Sequence, residues 1–266
     1  MSGRYMTARL AQELSAQLTD KDQDILHRVL ELRFVSGNQL GRMYCADTSA
    51  RAARRALLRL VQLDVLERLP RSVGGVRAGS AGFVYRVGLA GERVALEQGW
   101  MEERRRRRAR LPGMLFLNHS LAVAELHTQL IEANHGGRLE LLELQAEPGC
   151  HRRYGPRAIL KPDSFVRLGS GDYELSYFIE VDLGSEGSWA LDSQLRAYAA
   201  YYVSGVEQAE RGVFPKVLWL VPDNRRVAVL ETCIGGLPRP ARELFEVGLF
   251  KDVVSVVSNT SGVTDS

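Results

Sequence analysis

The chain has 266 residues, 45% hydrophobic and 25% charged, with a formal net charge of +3. That length suits two ordinary domains with packed cores, and the composition excludes a disordered chain. No apolar run approaches the roughly twenty residues that span a bilayer, and the opening MSGRYMTARLAQEL lacks a hydrophobic signal core, so a cytoplasmic protein with no membrane partner is expected. Cys45, Cys150 and Cys233 show no CxxC spacing, which argues against both a zinc knuckle and a disulfide framework. The charge is uneven. Residues 1–112 carry 21 Arg/Lys against 12 Asp/Glu, whereas residues 113–266 carry 14 against 20. A basic N-terminal part suits a polyanion, and an acidic C-terminal part suits a metal or a partner.

Residues 1–18 read as an N-terminal extension. Thr19-Asp20-Lys21-Asp22 then opens a helix with acids in its first turn, followed by Ile25, Leu26, Val29, Leu30 and Leu32 at helical spacing. Phe34 to Gly37 breaks the pattern, Asn38 to Tyr44 makes a second short helix, and Ser49 to Leu63 makes a third. The third helix buries Leu57, Leu60 and Val61 and offers Arg51, Arg54, Arg55 and Arg59 to solvent. Helix, short helix, turn and arginine-bearing helix is the order of a helix-turn-helix, whose last helix enters the major groove N-terminus first. Ser49, Arg51, Arg54, Arg55 and Arg59 are therefore candidate contacts to double-stranded DNA. Val65–Leu69 and Phe83–Val87 read as strands flanking a Gly/Ser/Arg loop that carries Arg77, so residues 19–98 resemble a winged-helix domain. A helical module that binds protein is the rival reading. Winged helices act as dimers on two-fold sites, which makes a homodimer a further expectation.

Residues 99–113 form an Arg-rich linker with an unbroken run from Arg104 to Arg108, in which Arg105 and Arg106 are candidate DNA contacts. Such a run is either a solvated linker or a tracker of phosphates, and both readings stand. Pro112-Gly113 marks the boundary to a second domain at 114–250, with 251–266 as a flexible tail.

In that second domain a helix capped at Asn118-His119-Ser120 carries Glu125 within its apolar stripe. After a strand at 139–147 and a Gly/Arg loop, Ile159–Leu168 reads as a strand holding Asp163, and Tyr173–Leu183 as a strand holding Glu180 and Asp182. Gly169-Ser170-Gly171-Asp172 joins them as an antiparallel hairpin. Strand alternation puts Glu180 and Asp182 on one face, and the hairpin brings Asp163 close, so three carboxylates are expected to hold Mg²⁺ or Mn²⁺. A helix from Trp189 to Val203 follows, with Gln194 and Tyr198 one turn apart. Lys216–Val221 is the last expected strand, and the interleaved elements give an α+β protein with an α/β C-terminal domain.

The spacing resembles that of the PD-(D/E)xK (restriction-endonuclease-like) nuclease superfamily. The resemblance implies that Asp163 and Glu180 are metal-binding acids, that Gln194 and Tyr198 support the site, and that Glu125 reaches it from the first helix. Position 182 departs from the pattern, being aspartate where that superfamily has lysine; Lys161, two residues before Asp163, is the candidate replacement cation. Taken with the winged-helix pattern, Leu117-Asn118-His119-Ser120-Leu121, Lys161-Pro162-Asp163 and Glu180-Val181-Asp182 before Gly184-Ser185-Glu186 resemble the replication-relaxation family over most of residues 15–235. That family occurs on plasmids and integrative elements of Gram-positive bacteria. The resemblance implies a DNA-binding protein of plasmid replication, relaxation or transfer, with replication or transfer proteins as partners. Three mechanisms remain open: a metal-dependent endonuclease or nickase, a non-cleaving initiator with a degenerate nuclease fold, and a relaxase using Tyr198, Tyr201 or Tyr202 as nucleophile.

Overall fold

A computed structural model describes residues 7–70, 83–102 and 112–259. The chain forms two compact units, Met1–Thr128 and Gln129–Ser266. The division falls inside a helix that starts before its expected Asn118 cap. It runs from Met114 to His135, and its first turn is closed by Leu117 N–H donating to the Gly113 carbonyl.

The first unit begins with α1 (Ala8–Gln17), so the expected extension is an ordered helix. Its Ala11 and Leu14 are buried, and Ser15 accepts a hydrogen bond from Gln98 at 2.8 Å. Next come α2 (Asp20–Leu32), β1 (Val35–Ser36), α3 (Gly37–Tyr44), α4 (Ala50–Gln62), β2 (Leu66–Arg68), β3 (Val84–Val87) and α5 (Leu89–Glu97). Two capping boxes set the helix starts: Thr19 with Asp22 for α2, and Ser36 with Gln39 for α3. Each satisfies amides that the helix itself cannot, worth about 1 kcal/mol per cap. The strands form one antiparallel sheet in the order β1-β3-β2. Ile25, Leu26, Val29, Leu40, Met43, Leu57, Leu60 and Val94 supply the core. At the start of α5 a Cβ on Gly91 would collide with the Val65 carbonyl, so that close approach requires glycine.

The second unit contains the end of α6 (Met114–His135), then β4 (Glu140–Ala146), β5 (Arg152–Arg153), β6 (Ile159–Leu160), β7 (Ser164–Ser170), β8 (Tyr173–Val181), α7 (Ser188–Ser204), α8 (Val206–Arg211), β9 (Lys216–Val221), α9 (Asn224–Gly235), α10 (Arg239–Arg242), β10 (Phe245–Leu249) and α11 (Val253–Asn259). Five strands make a mixed sheet ordered β10-β9-β8-β7-β4. β7 pairs antiparallel with β8 and β4, while β9 runs parallel to β8 and β10. The expected hairpin forms around Gly171-Asp172, with Ser170 opposite Tyr173 and Gly171 at φ +58°. The expected strand over 159–168 is two pieces, because residues 161–163 leave the ladder; β6 pairs with β5 and β7 joins the main sheet.

Both faces of the central strands are buried, which accounts for near-continuous apolar runs such as Val217–Val221. One face packs Phe165, Phe178 and Trp219 against Leu191, Leu195, Tyr198 and Tyr201 of α7 and Leu230 of α9. The segment expected as a flexible tail is ordered to Asn259. Val253 and Val257, one helical turn apart on α11, are both buried, and the Cβ of a residue in place of Gly248 would press on Val256.

Candidate carboxylate site

The hairpin and the parallel crossover through α7 bring Asp163, Glu180, Gln194 and Tyr198 to one place. Asp163 lies just before β7, and its Oδ2 accepts the Val181 amide at 2.7 Å, which pins the carboxylate beside the end of β8. Phe178 and Glu180 share the sheet face covered by α7. Glu180 is 4% exposed, Tyr198 donates its hydroxyl to Glu180 Oε1, and the Gln194 side chain hydrogen-bonds the same carboxylate. Burial raises the Glu180 carboxyl well above the ordinary range, and the neighbouring Asp163 charge raises it further. The bonds from Tyr198 and Gln194 oppose that shift without cancelling it.

A buried thiol fixes the approach to Asp163. Cys150 donates from Sγ to the Pro162 carbonyl at 2.9 Å, and burial pushes its acidity far down, so it remains a protonated donor rather than a nucleophile. Tyr198 is likewise held as a neutral phenol, first by burial and then by Glu180. Tyr201 donates to the buried Glu207 and is also raised by burial. Of the three tyrosines considered as relaxase nucleophiles, only Tyr202 is exposed.

Asp182 directly follows β8, its N–H still donating to the Leu220 carbonyl at 3.0 Å, and its carboxylate has a partner that was not expected. Asp182 Oδ1 accepts the Gly184 amide at 2.7 Å and Oδ2 meets Arg226 Nε at 2.5 Å. Both oxygens are thus engaged, and among the described residues no group of three or more Asp, Glu, His or Cys side chains is arranged to hold a metal. Sequence reasoning missed Arg226. It sits in the first turn of α9, capped by Asp223, and also donates from Nη2 to the Glu186 carbonyl at 2.9 Å.

Lys161 is exposed and forms no ion pair among the described residues. Glu125 belongs to the first unit, where Oε1 meets Arg42 Nη1 at 2.7 Å and Oε2 accepts from Gln39 at 3.1 Å. Of the arginines on α4, Arg59 keeps a side chain 43% exposed but is not free. It pairs with the buried Asp22, whose carboxyl stays below its usual value: burial alone would raise it, but hydrogen bonds from Thr19 and Arg59 outweigh that effect. Arg51, Arg54 and Arg55 are exposed and without ion pairs among the described residues, and Ser49 caps the helix by accepting the Ala52 amide at 3.3 Å. Arg77, Arg105 and Arg106 lie outside the described residues.

These placements separate two roles on one helix. Arg59→Ala leaves Asp22 buried without its cation and lowers thermal stability, whereas Arg51→Ala/Arg54→Ala/Arg55→Ala leaves the melting temperature nearly unchanged. Thermal melts of the two proteins check this. Equal losses would contradict it.

The described residues thus define a two-unit protein with a helical, sheet-edged N-terminal unit and a mixed α/β C-terminal unit bearing a buried acid pair. The family model for replication-relaxation proteins matches residues 26–217, and the chain belongs to that family. Membership points to a role in the replication or relaxation of plasmid or mobile-element DNA. No curated protein and no solved structure matches the chain. No helix among the described residues is long and apolar enough to cross a membrane.

Proposed function

We propose that this protein binds DNA through its N-terminal unit and cleaves or nicks it, in a metal-dependent reaction, at the Asp163–Glu180 pair. The observation that carries the reading is the convergence of two acids, Gln194 and Tyr198 at the end of β8, with the Glu180 carboxyl raised by burial and by Asp163. Perturbed carboxylates of this kind cluster at functional sites. In the N-terminal unit, helix, strand, two helices and two strands with sheet order β1-β3-β2 match a winged helix, and α4 offers Arg51, Arg54 and Arg55 as its recognition face. A homodimer on a two-fold site is consistent with that module.

The donor set fits Mg²⁺ or Mn²⁺. Burial first and the Asp163 charge second raise the Glu180 carboxyl, and a divalent cation held by the two hard carboxylates would offset both. Asp163 and Glu180 would hold the ion, which supplies charge for the scissile phosphate and a more acidic water. The chain's own residues do the positioning. Val181 N–H orients Asp163, and Tyr198 with Gln194 fixes the buried Glu180 under α7. Because the Glu180 carboxyl is raised, metal binding must displace its proton, so affinity rises as pH increases through that raised value.

The second reading is a non-cleaving initiator with a PD-(D/E)xK-like scaffold. Its support is the Asp182–Arg226 pair, which occupies the position where a nuclease of that superfamily has lysine. Supercoiled plasmid incubated with Mg²⁺ or Mn²⁺ decides between them. Nicked or linear product from wild type, lost in folded Asp163→Ala and Glu180→Ala proteins, is the expected result. Intact plasmid under all conditions with DNA binding retained would favour the initiator.

A further inference from the structure

Residues 148–162, PGCHRRYGPRAILKP, contain four Arg/Lys and no Asp or Glu, in the half of the chain that is otherwise acidic. They form the β5–β6 hairpin that leads directly into Asp163. Arg152 and Leu160 face each other across the ladder and are buried; Arg152 lies over the Phe165 ring and 3.4 Å from Glu207. Arg153, opposite Ile159, is turned outward. Arg157 in the connecting loop and Lys161 just past β6 are exposed as well, and none of the three forms an ion pair among the described residues. Of the neighbouring ionisable groups, His151 is occupied with Glu147 at 3.0 Å.

The hairpin is also held in place. The Cys150 thiol bonded to the Pro162 carbonyl ties its two ends together, and Tyr154 N–H donates to the Ala158 carbonyl at 3.2 Å across the loop. Three exposed cations without ion pairs among the described residues give this short, pinned hairpin positive charge with no acid of its own, and a polyanion is the complementary partner. The last of them, Lys161, stands two residues from an acid of the carboxylate pair.

We propose that the β5–β6 hairpin grips the phosphate backbone of nucleic acid and holds it against the carboxylate pair, with Arg153, Arg157 and Lys161 as the contacts. The proposal rests on the reading of Asp163 and Glu180 as a DNA site and gives the C-terminal unit its own hold on the substrate. The contacts are to phosphate, so they lend affinity irrespective of base sequence.

The test is duplex-DNA binding by the full chain in EDTA over a range of salt concentrations. Wild type is compared with Arg153→Ala/Arg157→Ala/Lys161→Ala and with the Arg51/Arg54/Arg55 alanine triple, all confirmed folded by circular dichroism. Each lost phosphate contact reduces the log–log salt slope by about 0.9, so the hairpin triple is expected to lower it by about 2.7. Arg153→Lys/Arg157→Lys, which keeps the charges, should leave it near wild type. An unchanged slope and affinity in the hairpin triple would overturn the proposal and leave an acidic protein surface as the partner that fits. Since neither metal nor cleavage enters the measurement, failure of the nuclease reading would be seen separately in the plasmid assay.

Discussion

Glu180→Gln is expected to melt higher than wild type at pH 8 and at the same temperature near pH 4. The folded protein holds the Glu180 carboxyl well above its ordinary range, by burial first and by Asp163 second. In the unfolded chain the group ionises near about 4.3. Between those two values the unfolded state releases its proton and the native state does not, so stability falls as pH rises through the window. Glutamine keeps the shape and accepts from Tyr198 but has nothing to ionise. The gain should grow as pH rises above the ordinary carboxylate range and vanish below it. Asp22 titrates in the opposite sense: its lowered carboxyl contributes stability above the ordinary carboxylate range that is lost as pH falls, but it does so equally in both proteins. Mn²⁺ should then raise the melting temperature of wild type and leave Glu180→Gln unmoved. A variant no more stable than wild type at pH 8 would mean that Glu180 imposes no cost on the fold.

The second large effect lies at Arg226. Its guanidinium is the cation paired with Asp182, whose side chain is 1% exposed. Arg226→Ala removes that cation and leaves a buried carboxylate with only the Gly184 amide, a change expected to destabilise the protein by about 3–5 kcal/mol. It also releases the Glu186 carbonyl, loosening the turn between β8 and α7, the helix that carries Gln194 and Tyr198. Asp182→Asn/Arg226→Ala leaves no unpaired charge and should recover most of the loss, giving a strongly non-additive double-mutant cycle by denaturant melts. Additive losses would show that the pair is not coupled.

Much of the architecture was legible because the signals are local. The Thr19–Asp22 capping box, the Gly171-Asp172 turn and the apolar run of β9 each sit within a few residues of what they determine. The missed features depend on distant partners. β10 is a short run containing Gly248, and its strand character comes from parallel pairing with β9 across two intervening helices. Arg59 carries the same charge as Arg54 and Arg55, but it alone reaches Asp22 on another helix. The candidate site divides in the same way. Asp163 and Glu180 follow from hairpin register, and Gln194 and Tyr198 from one helical turn. Asp182 is legible as a third acid after Glu180, but the Arg226 that takes up its carboxylate lies 44 positions along the chain. No local pattern announces Arg226, although an arginine in the first turn of a helix, where the dipole disfavours positive charge, is a signal worth weighing.

Calorimetric titration of Mn²⁺ into the full chain at pH 7.5 tests the central claim most directly, with Asp163→Asn and Glu180→Gln as comparisons. The account predicts saturable binding to wild type that is lost in both variants while their folds are retained. No binding by wild type, or binding that survives both substitutions, would contradict a metal site at the Asp163–Glu180 pair.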